Sequence, residues 1–330
     1  MGSNFQDEPT DSYYFPYLGS SHGYATSIGL INGGEDSEIV ERKTFDSDGA
    51  LVATDEVELD PGQKIENTTL SILKSNVRGV SVNVQSGRNS LCAYLKIEDL
   101  GFNASAEALV SLPASGATRL IVPHVANTDA WWTLVAIINA GSSIANLTVY
   151  AYDKNGDIAG TYEIDLDQGQ SLIGKVSDFF PLSPLGEIVA LKIENAVSNM
   201  PLSGYILFGS EEKTKLAGIP LYDWFESPIC LPHMASSTMW HTGIGVMNGG
   251  QVPGELKFSL YDASGKIIRE RTATLNPNQR LGITAAGLFG QSFASKARYM
   301  KVESIDETPI SGIYIIGSMD NSRLMGDVLR

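Results

Sequence analysis

VPHVANTDAWWTLVAIINAG, residues 122–141, decides the fold of this chain, because the chain writes the phrase three times. From Pro123, ten steps lead to Thr133, six more to Asn139 and two more to Gly141. The same steps from Pro232 land on Thr242, Asn248 and Gly250, and from Pro16 on Thr26, Asn32 and Gly34. The register then continues without a gap. FDSDG (45–49) matches YDKNG (152–156) and YDASG (261–265), and LDPGQ (59–63) matches LDQGQ (166–170) and LNPNQ (275–279). A register held over forty-eight residues, with eight positions identical in all copies, marks three copies of one unit.

The second half of each copy is looser. ALKIENAVSNMPLSGYILFGS (190–210) matches YMKVESIDETPISGIYIIGS (299–318), and SVNVQSGRNSLCAYLKIED (81–99) is a weaker version. Each copy closes on a short apolar run: ALVSLP (108–113), KLAGIP (215–220) and RLMGDV (323–328). The units are therefore expected at 12–113, 118–221 and 228–330. Residues 1–11 read as an expression scar followed by a flexible N-terminus. Of the two linkers, ASGA (114–117) is flexible in composition, whereas YDWFES (222–227) is aromatic and is expected to pack against a neighbouring unit.

Within a unit the period is two. YATSIGLIN, WWTLVAIIN and HTGIGVMN are rich in β-branched and aromatic residues, and ELKFSLY or IIRERTATL follow after turn signals. Asp46, Asp153 and Asp262 open D-x-x-G turns, where the carboxylate accepts backbone N–H groups and Gly takes the left-handed position. A calcium loop is the competing reading, but DASGK puts Ser264 and Lys266 where carboxylates would be needed. Asn32, Asn139 and Asn248 precede Gly-containing turns and read as turn residues. KVSDFFP (175–181) and TAAGLFG (284–290) are each expected to make one short helical turn. Seven or eight short strands per unit predict an all-β chain of three tandem antiparallel β-sandwich repeats, immunoglobulin- or fibronectin-like.

Alternation assigns the faces of the second strand. Trp131, Thr133, Val135 and Ile137 share one side with their equivalents in the other copies, and this side is expected to face a core. The other side carries Trp132, Leu134 and Ala136 in the second copy, His241, Gly243 and Gly245 in the third, and Ala25, Ser27 and Gly29 in the first. There the large residue changes while its neighbours stay small. Trp132 and His241 are therefore expected at the surface, where an aromatic ring can stack on a sugar, anchor a partner or cover a contact between units. His124 and His233 follow the repeated Pro, with Tyr17 in their place in the first copy. They read as rings packed at a sandwich edge with the tip on a backbone carbonyl, or as ligand contacts. Four histidines without clustered spacing predict no metal site.

Composition narrows the function. The chain has 330 residues and a net charge of −15, which disfavours a phosphate backbone and so predicts no nucleic-acid partner. No apolar run is long enough for a membrane span. Cys92 and Cys230 fall at non-equivalent points of the repeat and read as free thiols. His-Glu-x-x-His, P-loop and dinucleotide motifs are missing from the sequence, so neither an enzyme nor a cofactor is predicted.

The series P-H-x6-W-[WH]-T, N-x-G, Y-D-x-x-G and L-x-x-x-Q resembles a tandem repeat of secreted and surface proteins of bacteria. PLSGYILFGS…LAGIPL (201–221) is similar to the closing part of that repeat. The resemblance covers nearly all of residues 12–330 and is strongest in the second copy. The first copy departs from it, with Tyr17 for His and Tyr24-Ala25 for the aromatic pair. It implies an extracytoplasmic β-sandwich protein and no defined activity. The leading expectation is a non-catalytic exported module for binding, adhesion or surface assembly, with a protein or glycan partner. The second is a carbohydrate-binding protein in which Trp132, with His241 or Trp224, stacks on sugar. The third is a hydrolase with its site at a repeat junction. Self-assembly through exposed edge strands is the remaining alternative.

Overall fold

A computed structural model describes residues 12–18, 24–68, 81–87, 90–99, 101, 105–108, 118–197, 201–223, 226–320 and 323–329. The first sequence copy contributes β1 (Ser12–Phe15), β2 (Tyr24–Asn32), β3 (Glu38–Phe45), β4 (Leu51–Leu59), β5 (Lys64–Thr68), β6 (Ser81–Ser86), β7 (Leu91–Asp99) and β8 (Ser105–Ala108). The second contributes β9 (Arg119–Val122), β10 (Trp131–Asn139), β11 (Ala145–Tyr152), β12 (Ile158–Leu166), β13 (Ser171–Lys175), β14 (Ala190–Asn195), β15 (Leu202–Ser210) and β16 (Leu216–Pro220). The third contributes β17 (Ile229–Leu231), β18 (Trp240–Asn248), β19 (Gly254–Tyr261), β20 (Ile267–Leu275), β21 (Arg280–Thr284), β22 (Tyr299–Ser304), β23 (Ile310–Ser318) and β24 (Leu324–Val328). The helical turns are α1 (Val176–Phe179), α2 (Ala285–Phe289) and α3 (Gln291–Ala294), so both expected turns form and the second runs on into a further one.

These strands build six four-stranded antiparallel sheets in two recurring orders. One order is β1-β6-β3-β4, β9-β14-β11-β12 and β17-β22-β19-β20; the other is β5-β2-β7-β8, β13-β10-β15-β16 and β21-β18-β23-β24. Side chains of both orders share each of the three large cores, as in a β-sandwich: Leu120, Leu147 and Ile193 meet Val135, Ile137 and Ile206 in the second. The edge strands β4, β12 and β20 alternate between exposed and part-covered positions, as expected of a half-solvated antiparallel ladder.

The repeated polar residues hold the turns. Asp153 Oδ1 accepts the N–H of Asn155 (2.8 Å) and Asp157 (3.0 Å), and Asp46 and Asp262 do the same in their own turns. Gly49, Gly156 and Gly265 follow with φ between 80° and 91°, a region an added β-carbon would disfavour. In the L-x-x-x-Q turn the Gln170 side chain closes the loop by accepting from Asp167 N–H (2.9 Å), and Gln63 and Gln279 repeat that bond.

The repeated Asn reaches further than its own turn. Asn139 is fully buried. Its Nδ2 donates to the carbonyls of Ser143 (2.7 Å) and Leu166 (2.9 Å), while Oδ1 accepts from Gly141 N–H (2.9 Å). Leu166 ends β12, in the opposite sheet, so one amide ties the two layers together. Asn32 and Asn248 make the same three bonds. Replacing Asn139 by Ala would remove two buried hydrogen bonds, to Leu166 O and from Gly141 N–H, and one part-buried bond to Ser143 O, where each buried group left unpaired costs about 1–3 kcal/mol. Asn139→Ala is therefore expected to lower the urea midpoint by the equivalent of at least ~2 kcal/mol. A loss no larger than that of an exposed control, Asn155→Ala, would contradict this assignment.

Candidate functional site at the junctions between copies

The sequence candidates do not gather into one pocket. Trp132 is buried, not exposed as expected, with 6 % of its surface accessible. It belongs to the core of the first copy, along with Leu134, Ala136, Tyr205, Leu207 and Leu216 of the second. Its ring lies on Gly209, where an added Cβ would come within 1.9 Å of Cζ2, and it sits 6.3 Å from the ring of Tyr24. Trp131, expected inside, is half-exposed, and Lys215 Nζ lies 4.9 Å from its ring centroid. The reason is a second covering layer: the outer side of β10–β15 packs on the first copy, so β15 is buried along its whole length.

His241 stands at the position of Trp132 in the third copy and covers Gly317 in the same way, half-exposed. Burial lowers its pKa. His233 is exposed. Trp224 lies outside the described residues. Cys92 and Cys230 are unpaired thiols. Among the described residues, no group of three or more His, Cys, Asp or Glu side chains is placed to hold a metal ion, and no helix is long and apolar enough to cross a membrane.

His124 lies at a junction. It packs on Gly245 of the third copy, where an added Cβ would sit 2.8 Å from its own, and on the ring of Phe208 (centroids 5.4 Å apart). Its Nδ1 contacts the guanidinium of Arg280, not a backbone carbonyl as expected. Arg280 can only donate, so Nδ1 is an acceptor and the imidazole is neutral. Burial, then the adjacent guanidinium, pushes the His124 pKa from 6.5 down to about 3. Burial alone lowers Arg280 to about 10.

The repeated turns meet at these junctions. The D-x-x-G turn of the first copy lies on the L-x-x-x-Q turn of the second: an added Cβ at Gly49 would be 2.8 Å from both the Gln168 carbonyl and the Gln170 nitrogen. The D-x-x-G turn of the second copy lies likewise on that of the third: an added Cβ at Gly156 would be 2.3 Å from the Pro277 carbonyl. Gln279 Nε2 also donates to Lys154 O (3.1 Å). At the first junction the Tyr205 hydroxyl donates to Tyr17 O (2.8 Å). At the second, Met247 closes over Ile121, Tyr152 and Ala190, while Ile313 and Val328 enter the core of the second copy. The aromatic linker packs as expected at its described end. Tyr222 bridges Ile121, and Glu226 then bridges Ile310 in the third copy.

A shallow crevice opens beside this second junction. Ile121, Pro123, Leu221, Tyr222, Ile313 and Val328 line most of it. Its walls offer a Ser311 hydroxyl but no carboxylate or imidazole to act as acid and base.

The chain belongs to a family described as a family of unknown function, DUF5719, whose model matches residues 7–172. No curated protein matches it. Among solved structures it is similar to Thermotoga maritima 1070, at 15% identity and TM-score 0.28, over 32% of this chain and 94% of that one. It is also similar to the Anabaena sensory rhodopsin transducer, at 19% identity and TM-score 0.24, over 28% and 95%. A glycosyl hydrolase family 2 member from Bacteroides cellulosilyticus aligns at 9% identity and TM-score 0.16, over 71% and 28%. TM-scores this low transfer neither topology nor activity.

His124 gives the junction a pH signature. Above its ordinary value of 6.5 the ring is neutral in both the folded and unfolded chain, and its contribution to stability is complete. Below 6.5 the unfolded chain takes up a proton that the folded chain refuses until about pH 3, so stability falls across that window. Between about pH 7 and about pH 5, His124→Gln is expected to lose less stability than the wild type, by up to ~2 kcal/mol. Urea midpoints at both pH values measure this; equal losses would contradict it.

Proposed function

We propose that this DUF5719 protein is a non-catalytic, exported bacterial surface protein, an array of three β-sandwich repeats at 12–113, 118–221 and 228–330 that serves binding, adhesion or surface assembly. One observation carries the reading: the motif residues that define the repeat join one copy to the next. The D-x-x-G and L-x-x-x-Q turns stack on each other, and Trp132 and His124 fill junctions. A motif kept for a ligand would leave its polar tips facing a cleft. Here those tips are already engaged by the protein's own backbone and side chains. The net charge of −15 supports a role in solution or at a surface and disfavours nucleic acid. The apolar crevice beside the second junction gives the hydrolase alternative no acid–base pair.

The glycan reading is supported by half-exposed aromatic groups, Trp131 and His241. Against it, Lys215 already occupies one face of Trp131 and Gly317 lies under His241. Trp132→Ala separates the readings. Removal of a buried Trp is expected to destabilise the chain by about 3 kcal/mol, as large-to-small core changes do. A glycan array run with the wild type and Trp131→Ala is expected to be blank. Specific binding by the wild type that disappears in Trp131→Ala, or a Trp132→Ala variant as stable as the parent, would overturn the proposal in favour of sugar recognition.

A further inference from the structure

Two junctions of one kind each join an end of one copy to a face of the next; among the described residues they cover neither the end of the third copy nor the outer face of the first. The end is formed by the residue after the repeated Pro, the strand before it and the D-x-x-G turn. The face is the outer side of the sheet that contains the repeated Asn strand, together with its L-x-x-x-Q turn. In the second copy the end is covered: Ile121, Tyr152 and Ala190 are buried. Their equivalents in the third copy, Cys230, Tyr261 and Tyr299, are half-exposed, and His233 is exposed. The two tyrosines stack at 4.6 Å with ring planes 4° apart, a flat aromatic surface at the free end.

The first copy shows the matching vacancy. Ile138 and Met247 are fully buried at their junctions, while the equivalent Ile31 is half-exposed. β7 alternates between buried and half-exposed residues, whereas the equivalent β15 is buried on both sides. An added Cβ at Gly62 would meet nothing within 4 Å, although Gly169, its equivalent, lies against Gly49 and Phe45. Tyr94 stands opposite Gly29 as Tyr205 stands opposite Ala136. Tyr205 donates its hydroxyl to the carbonyl of Tyr17 in the preceding copy. The Tyr94 hydroxyl bonds instead to Glu66 of its own copy.

We infer that the left-over end and face belong to one further junction, made between two molecules of this chain: the third copy of one docks head-to-tail on the first copy of the next. The Tyr94 hydroxyl then turns from Glu66 to the backbone carbonyl of His233, the residue equivalent to Tyr17. Charge favours the pairing. Lys266 follows the free D-x-x-G turn, where the other copies have Ala50 and Asp157, and Asp60 lies in the free L-x-x-x-Q turn. The outer side of the first copy is more polar than the faces buried within the chain, with Lys64–Glu66 and Lys96–Glu98 pairs. The contact is therefore a reversible one, weaker than the internal junctions. A heterologous contact of this kind closes into a ring or extends as a filament.

The inference rests on the assembly reading above and is tested on the full chain by sedimentation velocity over rising concentration. Ile31→Glu blocks the face and His233→Glu blocks the end; neither position is buried, and circular dichroism of each variant checks that the fold is retained. The wild type is expected to gain mass with concentration. Each variant alone is expected to stay monomeric. An equimolar mixture is expected to form dimers and stop, because the intact end of Ile31→Glu meets the intact face of His233→Glu. A wild type that stays monomeric, association that survives in both variants, or a mixture that stays monomeric would each overturn the inference. Failure of the proposed function has a different mark, namely glycan binding or turnover on a hydrolase panel.

Discussion

The buried side-chain amide of the repeated Asn is the constraint on which the other contacts depend. Its Nδ2 bonds fix the end of the fourth strand of each copy, at Leu59, Leu166 and Leu275. Its backbone binds the turn that follows: Asn139 N–H donates to Gln170 O (3.0 Å), and Gly169 N–H donates to Asn139 O (2.9 Å). The same residue thus joins the two sheets and sets the L-x-x-x-Q turn. That turn is the surface on which the preceding copy's D-x-x-G turn rests. Intracopy folding and intercopy docking are coupled through one side chain, which explains why the two turns keep a constant separation in sequence.

The junctions also divide the sheets into two energetic kinds. β15 and β23 are almost entirely buried, because a neighbour covers the outer side. β7 is buried on one side only and carries Lys96 and Glu98 on the other. In a tandem array, stability is a sum of repeat terms and neighbour terms. Glycines 209, 245 and 317 belong to the same logic, since each gives an aromatic ring or an imidazole a backbone surface to lie on.

Much of this was legible in the sequence. The strand period, the turn chemistry of Asp153 and Gln170 and the short helical turns are local, and local patterns are read directly. The reach of Asn139 was not, because its partner Leu166 is distant in sequence and meets it only across the sandwich. Trp132 was misplaced at the surface for a related reason. Alternation separates two sides of a strand but does not say whether the second side meets water or another copy. A signal was present: Tyr205 and Leu207 lie on that outer side in the second copy where the first has Tyr94 and Lys96. Read across copies, that exchange of apolar for charged residues marks the covered sheet. The placement of His124 beside Arg280 had no such signal, since the two are 156 residues apart.

The claim that the repeated motif joins the copies is tested most directly by calorimetry of the intact chain. If the junctions couple the copies, thermal unfolding is one cooperative event and the ratio of calorimetric to van't Hoff enthalpy is about one. If the copies are independent beads on a string, the ratio rises to about three, and the junction account is contradicted.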